Sequence, residues 1–387
     1  LQKETSRSPD LDKISPYQSF AILFSTMLGV GVLSFQREIA KEVGPDGIWT
    51  ILVGGVLILA EVWLLTRVME KYPHKNLAQF GEVFFKNRPR PWLGKLVFLP
   101  FALLVALFFF AASAVVTRTF GEVLISTVLF RTPLEVLMLG LLGVGAAVAG
   151  NRPQVIARFN EFVFPILLLP LPLYLVSFLQ EGNLDNLFPL FHLNWVKLLK
   201  GVAASTFAYA GFSVIVVYMG YYQQPKKAVK PHLWAIGSVT FLYWIQMVVA
   251  VGVFGRAELV QLLWPTLDLL KVAAVPGMIL ERLESGFLAI WMVAVFTTII
   301  NLFGALVDMV VTFFGMREQH RKWVALGLLP VLYYVSYWPA NLNTLFWWNK
   351  WIGRSEPLMG LVLILTFLLF AMTKRGKKGG KQDVPSA

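Results

Sequence analysis

Apolar residues run in long blocks along this chain, and polar residues collect in the short stretches between them. Ten blocks read as membrane-crossing helices, at 16–40, 48–68, 96–120, 134–149, 159–178, 195–221, 232–254, 277–314, 323–338 and 358–372. About 20 apolar residues are needed to cross a hydrocarbon core of about 30 Å. Ser15-Pro16 is a start signal for the first block, an N-cap followed by proline at the first helical position. Gly44-Pro45-Asp46-Gly47 is a turn, and Pro165, Pro170 and Pro172 are expected to bend the fifth block. Two stretches, 70–95 and 255–276, are amphipathic instead. In the first, Leu77, Phe80, Val83 and Phe84 recur at helical spacing and predict an interfacial helix. Trp347, Trp348 and Trp351 read as an aromatic belt at the membrane interface.

Gly29 and Gly31 sit near the middle of the first block, and Gly211 interrupts the sixth. Glycine in a helix interior costs roughly 1 kcal/mol relative to alanine. Unpaired backbone at membrane depth survives only where it lines a cavity or is buried in protein. Close helix packing on small residues is the plainer explanation; a discontinuous helix that holds a small ligand is the sharper one. The order of elements supports the second. Blocks one to five and six to ten each open with a glycine-interrupted span, and each carries an amphipathic stretch after its second span. The expected fold is therefore all-α and polytopic, a five-plus-five inverted repeat with helices one and six broken. It forms a single membrane domain, spans one to five in 16–180 and spans six to ten in 195–373, followed by a basic tail at 374–387.

Composition agrees with a membrane protein. Of 387 residues, 57% are hydrophobic and only 14% charged, and the mean hydropathy is +0.66. The net charge of +12 reflects topology rather than nucleic-acid binding. With the N-terminus inside, Lys and Arg favour the inner side by about two to one, which puts both termini inside. No cysteine is present, so disulfides and thiol chemistry are excluded. No cleavable signal peptide is visible before Pro16.

A broken helix exposes N–H groups on one side of its gap and C=O groups on the other. The first attract a carboxylate and the second an ammonium, so a zwitterionic amino acid suits both. The candidate ligand residues are Gly29, Val30 and Gly31 in span one, and Phe108 and Ala112 as an apolar wall in span three. Span six offers Ser205, Thr206, Tyr209 and Gly211, and span eight Thr297 and Thr298, with Asn301 beside them. For any single hydroxyl, a bond back to its own helix is the competing reading. No Lys, Arg, Asp or Glu lies at the centre of spans one, three or six, which points to a small neutral amino acid. Glu61, Glu122 and Asp308 lie within or near spans, with Arg67, Arg118 and Arg317 as nearby partners and the membrane edge as their expected place. The four histidines show no metal-ligand spacing, and no nucleophile–base pattern or phosphate loop appears. Neither enzyme chemistry nor a cofactor is indicated.

These residues carry a resemblance. The run Trp264 to Leu270 (WPTLDLL), followed by Pro276 to Trp291 (PGMILERLESGFLAIW), resembles the B subunit of GerA-type spore germinant receptors. Thr26 to Glu38 (TMLGVGVLSFQRE) and Phe207 to Phe212 (FAYAGF) look like that family's first and sixth spans. The glycine break is shared with the wider amino acid–polyamine–organocation superfamily. The resemblance implies a transporter-like fold in the spore inner membrane, nutrient sensing, and partnership with an A subunit and a C-subunit lipoprotein. Relatives often carry an acid two residues after the span-six glycine, where this chain has Ser213. An amino-acid permease of the same fold is the alternative. A scaffold without ligand would leave the glycine breaks unexplained.

Overall fold

The computed structural model describes residues 13–85, 92–188, 195–272 and 283–376. Among them it is helical, and the one β-type pairing is an isolated bridge between Ile14 and Tyr222. His192, Lys86, Arg88, Arg90, residues 276–282 of the quoted motif and the tail from Lys377 lie outside the described residues.

Helix α1 (Pro16–Met27) starts at the expected signal. Ser15 Oγ accepts from the Gln18 amide at 3.2 Å, and the Gln18 side chain accepts from the Ser15 amide at 2.9 Å, a reciprocal cap. The first block then breaks. Residues 28–34 hold a single 3₁₀ turn, Gly31–Leu33, before α2 (Phe35–Val43) resumes. Gly44, with φ of 67°, turns the chain toward α3 (Gly47–Met69). Among the described residues of 70–95 no continuous interfacial helix forms. A 3₁₀ turn, Leu77–Gln79, and the short α4 (Phe80–Phe85) stand there, and α5 (Trp92–Thr127) already begins at Trp92. Leu77 and Phe80 do share a face, but that face is fully buried against the bundle, with Phe80 packed on Phe367. Helical spacing does not distinguish a face turned to lipid from one turned to core.

Helix α6 (Leu134–Ala149) coincides with the fourth block. The fifth splits into α7 (Pro153–Leu167) and α8 (Leu171–Glu181) at Pro170, as the missing amide and ring sterics of proline require. The sixth comprises α9 (Trp195–Ser205), two 3₁₀ turns around Gly211, and α10 (Ile215–Tyr218). Its two halves, Trp195–Tyr209 and Phe212–Tyr221, are bent by 53°. Then follow α11 (Val229–Leu259), α12 (Pro265–Val272), α13 (Leu283–Phe313), α14 (Arg321–Tyr337) and α15 (Leu342–Gly376). The last helix takes in the three tryptophans expected as an aromatic belt. Among the described residues six helical stretches are long and apolar enough to cross a membrane, or seven if the bent pair counts as one.

The broken segments are central. α1 packs on α7, α11 and α13, and α10 lies between α3 and α13. Val214, Val216, Val217 and Tyr218 are wholly buried, whereas Phe162, Leu179 and Trp323 on the outer helices are 75%, 83% and 72% exposed. That exposed apolar rim is the surface of a bilayer-embedded bundle.

The acids are placed differently from expectation in two of three cases. Glu122 pairs with Arg118 at 2.7 Å. Asp308 pairs with Arg321 rather than Arg317, and also accepts from Tyr221 at 2.7 Å and Asn76 at 3.0 Å. Glu61 is buried between helices and forms no ion pair among the described residues. Arg67, six residues on, leaves the helix on another face and pairs with Glu70 at 3.1 Å.

Candidate functional site at the two helix breaks

The end of α1 leaves carbonyl groups without helical partners, and side chains from three other helices supply donors. Thr298 Oγ1 on α13 lies 3.2 Å from the Ser25 carbonyl and 3.1 Å from that of Thr26. Tyr243 on α11 donates to the Met27 carbonyl at 2.6 Å and also lies 3.0 Å from the Ala208 carbonyl of the second break. Trp291 Nε1 donates to the Gly29 carbonyl at 3.2 Å, and Thr266 Oγ1 to that of Val32 at 2.7 Å. Asn301 donates to Thr26 Oγ1 at 2.8 Å and exchanges hydrogen bonds with Asn160 at 2.7 and 2.9 Å. Each carbonyl retains a second lone pair, so these contacts leave acceptor capacity at the break.

At the second break Gly211 has φ of 113°, a conformation that residues with a Cβ avoid. A methyl there would also press 2.5 Å from Thr26 Cγ2. Gly31 is needed for a different reason. A Cβ on it would lie 3.1 Å from both Ala208 Cα and the Phe207 carbonyl oxygen, so the two broken chains meet backbone to backbone. The N–H groups at the second break are occupied. Gly211 N donates to Glu356 Oε2 at 2.6 Å and Ser213 N to Glu356 Oε1 at 2.8 Å. Sequence reasoning missed Glu356. Its signal was an acid inside an apolar helix with no basic residue three or four positions away.

Where the breaks meet lies a cavity of about 20 Å³. Gly29, Val30, Gly31, Ala112, Gly211 and Thr298 line it, together with residues outside the expected set, among them Thr26, Phe207, Ala210 and Ile352. No acidic or basic residue is in the lining. The remaining candidates lie elsewhere. Ser205 and Thr206 donate back to the Val202 and Ala203 carbonyls at 2.8 and 2.9 Å, and Thr297 to that of Ala294 at 2.7 Å. Tyr209 donates to the Ile51 carbonyl on α3 at 3.1 Å, and Phe108 is buried against Phe109. A volume of this size matches a single water, so a larger guest requires the two breaks to part. Among the described residues no group of His, Asp or Glu could hold a metal ion.

Known proteins resemble this chain in sequence and in fold. The family model described as spore germination protein matches residues 13–345. Spore germination protein YndE of Bacillus subtilis is 28% identical over 95% of this chain and 98% of its own. Spore germination protein GerLB of Bacillus cereus is 27% identical over 94% of each chain. Among solved structures, MhsT in complex with L-phenylalanine superposes with a TM-score of 0.66 at 16% identity, covering 89% of this chain and 87% of that one. Mhp1, a nucleobase-cation-symport-1 family transporter, gives 0.53 at 13% identity, covering 89% and 77%. The chain is an integral membrane protein with a transporter-like fold, and it belongs to the spore germination protein family.

Proposed function

We propose that this protein is the nutrient-binding B subunit of a GerA-type germinant receptor. A small neutral amino acid binds at the midplane between the two breaks. The observation that carries this reading is the uncharged cavity lined by Gly29, Gly31, Gly211 and Thr298 where the two breaks meet. MhsT, of the same fold, is a complex with L-phenylalanine. The roles given to Gly29, Val30, Gly31, Ala112, Gly211 and Thr298 rest on this placement.

The full architecture in this reading has ten spans in two inverted halves of five, in one membrane domain with both termini inside the spore inner membrane. The breaks at the junctions of α1 with α2 and α9 with α10, and the short α4 and α12 after the second long helix of each half, support it. Because the cavity admits little more than a water, ligand entry must open the breaks, and that movement is what the A subunit and the C-subunit lipoprotein would read. A ligand shifts the equilibrium only by its differential affinity for the two arrangements. Transport by a permease of the same fold is the second reading, and the likeness to Mhp1 favours it.

A thermal-shift screen of the purified chain tests the ligand. A true ligand at one hundred times its Kd stabilises by about 2.7 kcal/mol. The expected response is to a neutral amino acid, and a selective response to lysine or glutamate overturns the assignment. Uptake of that amino acid into proteoliposomes decides for the permease.

A further inference from the structure

Two acidic side chains approach each other behind the second break, outside the cavity lining. Glu356 is 0% exposed, and its two oxygens accept the Gly211 and Ser213 amides at 2.6 and 2.8 Å. Glu61 comes from α3 and is 7% exposed. Its Oε1 presses so closely on Gly360 that a methyl there would collide with it. Gly360 lies four residues after Glu356 and so on the same face of α15, one turn on. Two further polar atoms are out of balance. Glu61 Oε1 has no hydrogen-bond partner, and the wholly buried Ser213 hydroxyl borders the Glu356 carboxyl and has no other partner.

Glu61 meets α15 one turn from Glu356, and neither acid forms an ion pair with Lys, Arg or His among the described residues. Two uncompensated negative charges within a turn of each other, away from water, are strongly unfavourable. The carboxyl held by two short amide bonds is the one equipped to bear charge. A hard divalent cation does not fit, because such ions gather six or more oxygens, and both Glu356 oxygens already face N–H donors. A proton needs only one oxygen.

We propose that Glu61 and Glu356 form a proton-binding site, with the proton on Glu61 and the charge on Glu356. This stands apart from the amino-acid reading. At Ser213 this chain brings a carboxylate from α15 onto the backbone amide itself. Loss of the proton from Glu61 to water sets two like charges against each other and pushes Glu356 off Gly211 and Ser213. Proton occupancy and the shape of the break are therefore coupled, and coupling of this kind acts in both directions.

Infrared spectroscopy of the full chain in detergent tests the proposal, because a protonated carboxylic acid shows a carbonyl stretch that a carboxylate lacks. At neutral pH the wild type should show this band, Glu61→Gln should lose it, and the surface control Glu181→Gln should keep it. Gly360→Ala, which places a methyl against Glu61 Oε1, should shift the band, whereas Gly327→Ala, with open space around it, should not. Absence of the band in the wild type overturns the proposal. So does a band that persists unchanged in Glu61→Gln, or one unmoved in Gly360→Ala should Glu61→Gln fail to fold.

Discussion

The hydroxyl of Tyr243 lies 2.6 Å from the Met27 carbonyl, and the same oxygen is 3.0 Å from the carbonyl of Ala208. One side chain on α11 thus fastens both breaks, and its ring packs edge-on to Tyr209 with centroids 5.6 Å apart. Tyr243→Phe keeps the ring and removes the donor. A buried carbonyl left unsatisfied costs about 1–3 kcal/mol. The variant should unfold that much more easily in a denaturant titration, and an unchanged midpoint would show that the breaks do not depend on this bond.

Asp308 and Arg321 form a pair that is 0% and 2% exposed. Tyr221, at the end of the bent sixth block, donates to the same carboxylate, as does Asn76. Removing one partner leaves a buried charge without compensation, a loss of about 3–5 kcal/mol. Asp308→Asn and Arg321→Gln should each be destabilised on that scale, and the double variant by less than the sum of the two. Additive losses would mean that the two residues act independently.

Much of this architecture was legible because helix length and glycine placement are local. The second block was read as 48–68 and α3 spans Gly47–Met69; the fourth was read as 134–149 and α6 spans Leu134–Ala149. The break after Met27 followed from Gly29 and Gly31, the poorest helix formers in that segment apart from proline. What was not legible depends on partners far along the chain. Glu356 meets Gly211 across 145 positions. Asp308 could be paired with Arg317 or Arg321 by spacing alone, and only the turn of the chain around the 3₁₀ segment Glu318–His320 selects the second. Hydroxyls are ambiguous for a related reason. Thr297 and Thr298 are neighbours, yet one bonds within its helix only and the other also reaches the end of α1.

The orientation read from basic residues is testable because the chain has no cysteine. In that orientation Leu184, 62% exposed, falls on the outer side and the exposed Lys227 on the inner side. Leu184→Cys should react with a membrane-impermeant thiol reagent on intact cells, and Lys227→Cys only after permeabilisation. The reverse pattern would invert the molecule.

Gly29 provides the sharpest test of the site. A Cβ added there would lie 2.7 Å from Thr298 Oγ1 and 3.0 Å from its Cγ2. The new methyl therefore meets the side chain that holds the Ser25 and Thr26 carbonyls, and both residues line the cavity. Overpacking of this kind costs about 1–3 kcal/mol. Thr298→Ala removes both crowding atoms and leaves Cβ at 3.2 Å, so it should recover part of the stability lost in Gly29→Ala. That non-additivity is the expected mark of a direct contact. Response to nutrient should follow a different course. Thr298→Ala also deletes the donor at the break, so the double variant should regain stability without regaining sensitivity. Protein level and dose–response must be measured together on spores carrying each variant. Normal level with lost response in the double variant supports a ligand role for this stretch. Normal level with a wild-type dose–response curve would leave Gly29 and Thr298 as packing residues only.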